Sequence, residues 1–179
     1  DIGKTQIPKE VLNKPGRLTD EEFDIIKEHS TIGYDIVKDL DVPLESKDAV
    51  LQHHEKCDGT GYPRGLKGGE ISDIAKIVTI ADIYDAMTSA RCYRKPICPF
   101  EVMRQFELEG TDKFEYRYLM PFFNGITQTY IGKDVKLTNG KIGEVVMIHG
   151  NDVSRPLIKI KDKFIDLSKD RDISIKSII

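Results

Sequence analysis

The segment VLQHHEKCDGTGYP, residues 50–63, says the most about this 179-residue chain. Val50 and Leu51 are apolar, and the adjacent pair His53 and His54 follows three to four residues on. That spacing predicts a helix that begins after Ser46, runs through Glu55 and faces Val50 and Leu51 inward. Neighbouring helical residues diverge by about 100°, so the two imidazoles can serve different sides of one cavity. The helix then gives way to Asp58-Gly59-Thr60-Gly61-Tyr62-Pro63, a glycine-rich turn.

Upstream of this segment, Thr19 and Glu22 form a capping-box pair at the start of a helix. Its apolar stripe is Phe23, Ile26, Val37 and Leu40, with Gly33 on the same line. His29 lies on that stripe and is expected to point inward. Lys14-Pro15-Gly16 before it reads as a turn. Downstream, Ser72 can cap a helix over residues 73–89 that is apolar almost all round, the pattern of a buried helix. It nonetheless carries Asp82 and Asp85, and a buried carboxylate without a partner costs several kcal/mol. At least one of the two should meet a cation. A further helix is expected with Pro99 in its first turn. The last covers residues 115–130, with Pro121 kinking or shortening it.

The pattern changes near Ile131-Gly132. Short β-branched runs at 134–137, 142–148, 156–160, 163–167 and 173–178 read as strands, and Asn139-Gly140 is a hairpin turn signal. The expected fold is mainly α, a helical bundle over 1–129, followed by a small β module over 130–179, a small barrel or curled sheet. Charge changes at the same boundary. Residues 1–129 hold 17 Lys and Arg against 23 Asp and Glu, a net of −6; the remainder holds 10 against 7, a net of +3. The overall charge of −3 gives no electrostatic case for DNA or RNA binding. No apolar run approaches membrane-span length. The three cysteines, Cys57, Cys92 and Cys98, form no CxxC pair and point to a reducing, cytoplasmic setting. The chain opens on Asp1, not Met, so a longer natural protein is expected, truncated here at its N-terminus.

Asp1, His29, His53, His54 and Asp82 are the inward-facing residues able to ligate metal. Mixed nitrogen and oxygen donors suit manganese, iron or zinc, and a bridging carboxylate would let two cations sit about 4 Å apart, as in two-metal phosphoester hydrolysis.

These residues carry a resemblance. His53 through Pro63 match the HHExxDGxGYP signature of the HD-GYP family. Asp1-Ile2-Gly3-Lys4 resembles the segment after the first histidine of an HD-type metal phosphohydrolase. Residues 80–88, IADIYDAMT, resemble the family's aspartate helix, and Arg91-Cys92-Tyr93-Arg94 its arginine segment. The resemblance covers about residues 1–125. It implies an HD-type helical bundle and a phosphodiesterase that hydrolyses cyclic di-GMP to pGpG, and onward to GMP, by metal-activated hydroxide attack on phosphorus. It implies two or three divalent metals, iron or manganese. Asp1 would bridge metals, His29, His53 and His54 would be further ligands, and Asp82 would close the site. Lys4 would act beside Asp1 at the scissile phosphate, and Arg91 and Arg94 would hold the substrate's phosphates. Glu55 and Asp58 would support the site, and Gly61, Tyr62 and Pro63 would form its rim or meet a protein partner. A homodimer is a further expectation. The alternative is a catalytically impaired module that binds a cyclic dinucleotide or a partner without cleavage.

Overall fold

The computed structural model describes residues 1–90, 95–110 and 112–179. A short 3-10 turn, Ile2–Gln6, leads to helices α1 (Lys9–Leu12), α2 (Asp20–Val37), α3 (Leu44–Gln52), α4 (Asp73–Thr88), α5 (Pro99–Glu109) and α6 (Tyr116–Gln128). Strands β1 (Asp134–Leu137), β2 (Ile142–His149), β3 (Asp152–Ile160), β4 (Lys163–Asp166) and β5 (Ile175–Ile178) follow. The fold is helical first and antiparallel β after it, as the residue pattern implies.

The capping box forms as read. Thr19 Oγ1 accepts from the Glu22 N–H at 3.3 Å, and the Glu22 carboxylate accepts from the Thr19 N–H at 2.7 Å. Ser72 likewise caps α4, accepting from Ala75 N at 3.3 Å. Pro99 takes the first turn of α5, and α6 runs on through Pro121. Three local expectations change. Helix α3 stops at Gln52, so His53 is its C-cap and His54 stands in the turn beyond. Leu40 lies past the end of α2 and is exposed, as is Phe23; the buried part of that stripe is His29, Ser30 and Gly33. Helix α4 is buried through Ala75, Lys76, Thr79 and Ile80 but turns Ile74, Ile77 and Val78 outward, so its apolar residues are not all core.

The strands form an open sheet in the order β4-β3-β2-β1-β5, every pair antiparallel. It neither closes nor curls, contrary to the small barrel or curled sheet expected. A sheet closes on itself when nothing else covers its apolar face. Here Val135, Leu137, Val145, Val153, Ile158, Leu167 and Ile175 join one buried cluster with Phe100, Met103 and Phe106 of α5 and Leu119 and Phe123 of α6. The helices remove the face from water, and β4 and β5 remain as edges. His149 ends β2 and pairs with Asp166 at 2.9 Å. Among the described residues, no helix is long and apolar enough to cross a membrane.

Candidate metal centre

Four separate elements deliver the site. The 3-10 turn brings Asp1 and Lys4, α2 brings His29, the end of α3 brings His53 and His54, and α4 brings Asp82. The turn docks on α2 at very short range. A Cβ on Gly3 would stand 2.0 Å from the His29 carbonyl oxygen and 2.6 Å from Gly33 N, so only glycine permits this approach. It puts an Asp1 carboxylate oxygen 3.6 Å from Nε2 of both His29 and His53.

The imidazoles are preset as ligands. His29 Nδ1 lies 2.6 Å from the Ile26 carbonyl, and His53 Nδ1 lies 2.9 Å from that of Val50. A carbonyl can only accept, so each Nδ1 carries the proton and each Nε2 is left with a lone pair. Burial holds the His29 imidazole down to about 4 and that of His54 to about 2, and it lowers that of His53, so all three rings are neutral at pH 7. The bare Nε2 atoms of His29 and His53 face each other at 3.2 Å, and His54 Nε2 is 3.2 Å from His29 Nε2. Two lone pairs at that distance repel unless a cation lies between them.

The donor atoms of Asp1, His29, His53 and His54 all lie within 4.8 Å of one another. Donors about 2.1 Å from one metal stand roughly 3.0–3.4 Å apart at adjacent positions, so these spacings fit a divalent cation. Asp82 stands outside this group of four. Its Oδ2 is 3.9 Å from His54 Nδ1, on the far side of that ring. Lys4 Nζ pairs with the Asp1 carboxylate at 2.9 Å.

The glycine-rich turn covers the histidines. Tyr62 donates its N–H to the His54 carbonyl at 3.1 Å, and its ring stacks on the His54 ring with centroids 4.6 Å apart. Gly61 allows this, because a Cβ there would meet the Glu55 Cα at 2.4 Å. Burial raises the Tyr62 phenol, so it stays protonated. Among the described residues, the buried Glu55 carboxylate makes no hydrogen bond to an imidazole. It accepts from the backbone N–H groups of Arg64 (2.7 Å) and Leu66 (3.0 Å), anchoring the turn beyond Pro63. Asp58 accepts from Thr60 N and Oγ1, which shapes the turn and holds its carboxyl below the usual range. A cleft of about 690 Å³ opens over the site, lined by Lys4, His29, His54, Tyr62, Asp82 and Met87 among others.

A family model described as HD domain matches residues 1–115. The chain belongs to the HD domain family. The chain is 37% identical over 161 residues to a cyclic di-GMP phosphodiesterase of Pseudomonas aeruginosa, a match that covers 89% of this chain and 39% of that protein. It is 49% identical over 109 residues to a cyclic di-GMP phosphodiesterase of Thermotoga maritima, covering 60% of this chain and 30% of that one. The chain thus spans well under half the length of these relatives. A solved HDG"Y"P protein of Bdellovibrio bacteriovorus shares the fold, with a TM-score of 0.56 at 20% identity over 72% of this chain and 40% of that one.

The resemblance of residues 53–63 to the HD-GYP signature therefore holds at the level of the family. The structure gathers Asp1, Lys4, His29, His53 and His54, sets Asp82 beside them, and gives Glu55 and Asp58 to the turn. Arg91 and Arg94 lie outside the described residues. Gly3 and the carbonyls of Ile26 and Val50 escaped the sequence reading. The glycine two residues after Asp1 was the available signal for the first, while backbone acceptors leave no trace in residue identity.

Proposed function

We propose that this chain carries the catalytic domain of a metal-dependent phosphodiesterase that hydrolyses cyclic di-GMP to pGpG, and onward to GMP. The observation that carries the reading is the set of three neutral imidazoles whose ring nitrogens converge with the Asp1 carboxylate within 4.8 Å. Asp1, His29, His53 and His54 would hold the metal, with Asp82 closing the site across His54. Two or three divalent ions, iron or manganese, suit this nitrogen and oxygen donor set. Metal bound here supplies Lewis acidity and an acidified water.

The chain's own residues do the rest. Neutral rings remain available as ligands without prior loss of a proton. The Ile26 and Val50 carbonyls lock the rings of His29 and His53 in orientation. Lys4 holds a positive charge against Asp1 at the cleft wall, where a phosphate's negative charge develops. Tyr62 shields the His54 face from water. In this proposal Arg91 and Arg94 grip the phosphates by forked hydrogen bonds. The rim at Gly61, Tyr62 and Pro63 is offered to a protein partner, and the protein works in the cytoplasm. The helical stretch 1–129 carries the chemistry, and the strands of 130–179 are a separate module in role.

The test is turnover. The full-length protein, loaded with manganese or reduced iron, is incubated with cyclic di-GMP and its nucleotide products are separated. Appearance of pGpG or GMP, abolished by Asp82→Ala, is expected. Metal-loaded protein that binds the dinucleotide and releases no linear product defeats the reading.

A further inference from the structure

The metal cleft has a neighbour. A cavity of about 570 Å³ lies between the 3-10 turn, α1, the loop 13–19 and the first turns of α2, and it shares Lys4, Leu18, Phe23 and Ile26 with the cleft. Lys14 Nζ donates to both carboxylate oxygens of Glu22, at 2.8 and 2.6 Å, and Glu22 also accepts from Thr19 N at 2.7 Å. One carboxylate thus ties down both ends of the loop, so this wall is set before a ligand arrives.

Phe23 stands on the shared wall. It belongs to the apolar stripe of α2, yet its side chain is 44% exposed. Its ring meets that of Tyr62 near a right angle, with centroids 6.2 Å apart, and Tyr62 in turn stacks on His54. A line of rings therefore runs from the candidate metal ligands to the cavity. Lys27 Nζ stands over the Phe23 ring at 4.8 Å. Leu12, in the same cavity wall, is 39% exposed. An exposed aromatic face and apolar neighbours beside a polar cleft suit the flat part of a ligand whose polar part lies in that cleft.

The charges of the wall narrow the choice. Lys4 pairs with Asp1 and Lys14 with Glu22. The side chains of Arg17 and Asp20 make no hydrogen bond or ion pair among the described residues. They carry opposite signs, so the pair selects neither a bare anion nor a bare cation. It suits a neutral group with acceptors on one edge and donors on another. Guanine has both: O6 and N7 accept a forked pair from a guanidinium, while N1–H and the N2 amino group donate to a carboxylate. Adenine places an amino group where guanine has O6, and an acceptor at N1.

We propose, building on the phosphodiesterase reading, that this cavity holds a guanine base of the substrate while the phosphate lies in the metal cleft. Phe23 is the stacking platform, and Arg17 and Asp20 distinguish guanine from adenine.

Calorimetric titration of the metal-loaded full-length protein with GMP, AMP and inorganic phosphate tests this. GMP carries base and phosphate in one molecule, and its binding is read without turnover. Phe23→Ala and the double variant Arg17→Ala with Asp20→Asn change partly exposed side chains, and an unchanged melting temperature checks that the fold is kept. GMP should bind at least tenfold tighter than AMP. Phe23→Ala should weaken GMP by at least about fivefold and leave inorganic phosphate unchanged. The double variant should bring GMP down to the affinity of AMP. No saturable GMP binding, GMP binding untouched by Phe23→Ala, an equal loss for phosphate, or a guanine preference that survives the double variant would each overturn the proposal. Turnover of cyclic di-GMP is scored separately. The expected base dependence without turnover defeats only the phosphodiesterase reading, and turnover without that dependence defeats only the base cavity.

Discussion

Replacing Gly3 by alanine should dissociate metal binding from folding. The new methyl would begin 2.0 Å from the His29 carbonyl oxygen, where ordinary contact starts at 3.4 Å. The turn at Ile2–Gln6 must therefore recede by about 1.4 Å, the difference of those two distances. Its neighbour on the other side, Gly33 N at 2.6 Å, offers no room for a compensating shift. Asp1 moves with the turn, and its carboxylate now stands 3.6 Å from two ligand nitrogens. A misplacement of about 1 Å at such a site costs on the order of 100-fold, which corresponds to about 2.7 kcal/mol of binding. Overpacking costs about 1–3 kcal/mol of stability, but a short terminal turn can lift away and relieve most of it. Manganese titration by calorimetry should show the affinity loss, and thermal melting by circular dichroism a drop of no more than about 6 °C. Gly69→Ala, with open space around its Cβ, should alter neither. Unchanged metal affinity in Gly3→Ala would refute the claim that this docking places Asp1.

Three further outcomes follow from the same geometry. Phe123 is fully buried where α6 meets the sheet, so Phe123→Ala should cost about 3–5 kcal/mol and lower the melting temperature by about 6–20 °C; helical and near-ultraviolet signals should fall together, and two separate transitions would contradict a shared core. Glu55→Gln leaves an amide NH2 against one of two backbone N–H groups, so it should cost about 1–3 kcal/mol and speed deuterium exchange at Arg64 and Leu66; unaltered exchange there would count against the anchoring role. Hydrogen bonding from Ser168, helped by His149, holds the Asp166 carboxyl down to about 2 from 3.8. A depressed carboxyl stabilises the fold fully above the unfolded value and loses that contribution as pH falls from about 4 towards 2. Asp166→Asn should therefore flatten that part of the stability curve in melts taken between pH 5 and 2, and a curve as steep as the parent's would exclude the effect.

Much of the site was legible because its chemistry is unusual for a core. His29 on an apolar stripe, paired histidines after Val50 and Leu51, and an aspartate on a largely apolar helix have no reason to exist as packing alone. The Thr19–Glu22 capping box, the Ser72 cap and the Asn139-Gly140 hairpin were readable because they depend on residues within four positions of each other. The misreadings concern what one segment cannot know about another. Ile74, Ile77 and Val78 look like core by composition, but their burial depends on which neighbours α4 meets. Glu55 sits beside two ligands in sequence, yet its carboxylate reaches forward to a turn.

Residue order alone therefore determined the class of elements, the metal-capable set and the family. Those properties rest on local propensity and on residue identity at short spacing. Tertiary structure decided that the sheet stays open, because α5 and α6 cover the face that would otherwise drive closure. It also decided that Asp1 reaches His29 and His53, because a bare glycine lets two backbones approach closer than any side chain would permit. Both are contacts between segments distant in sequence, whose free energy is settled only when the chain is packed.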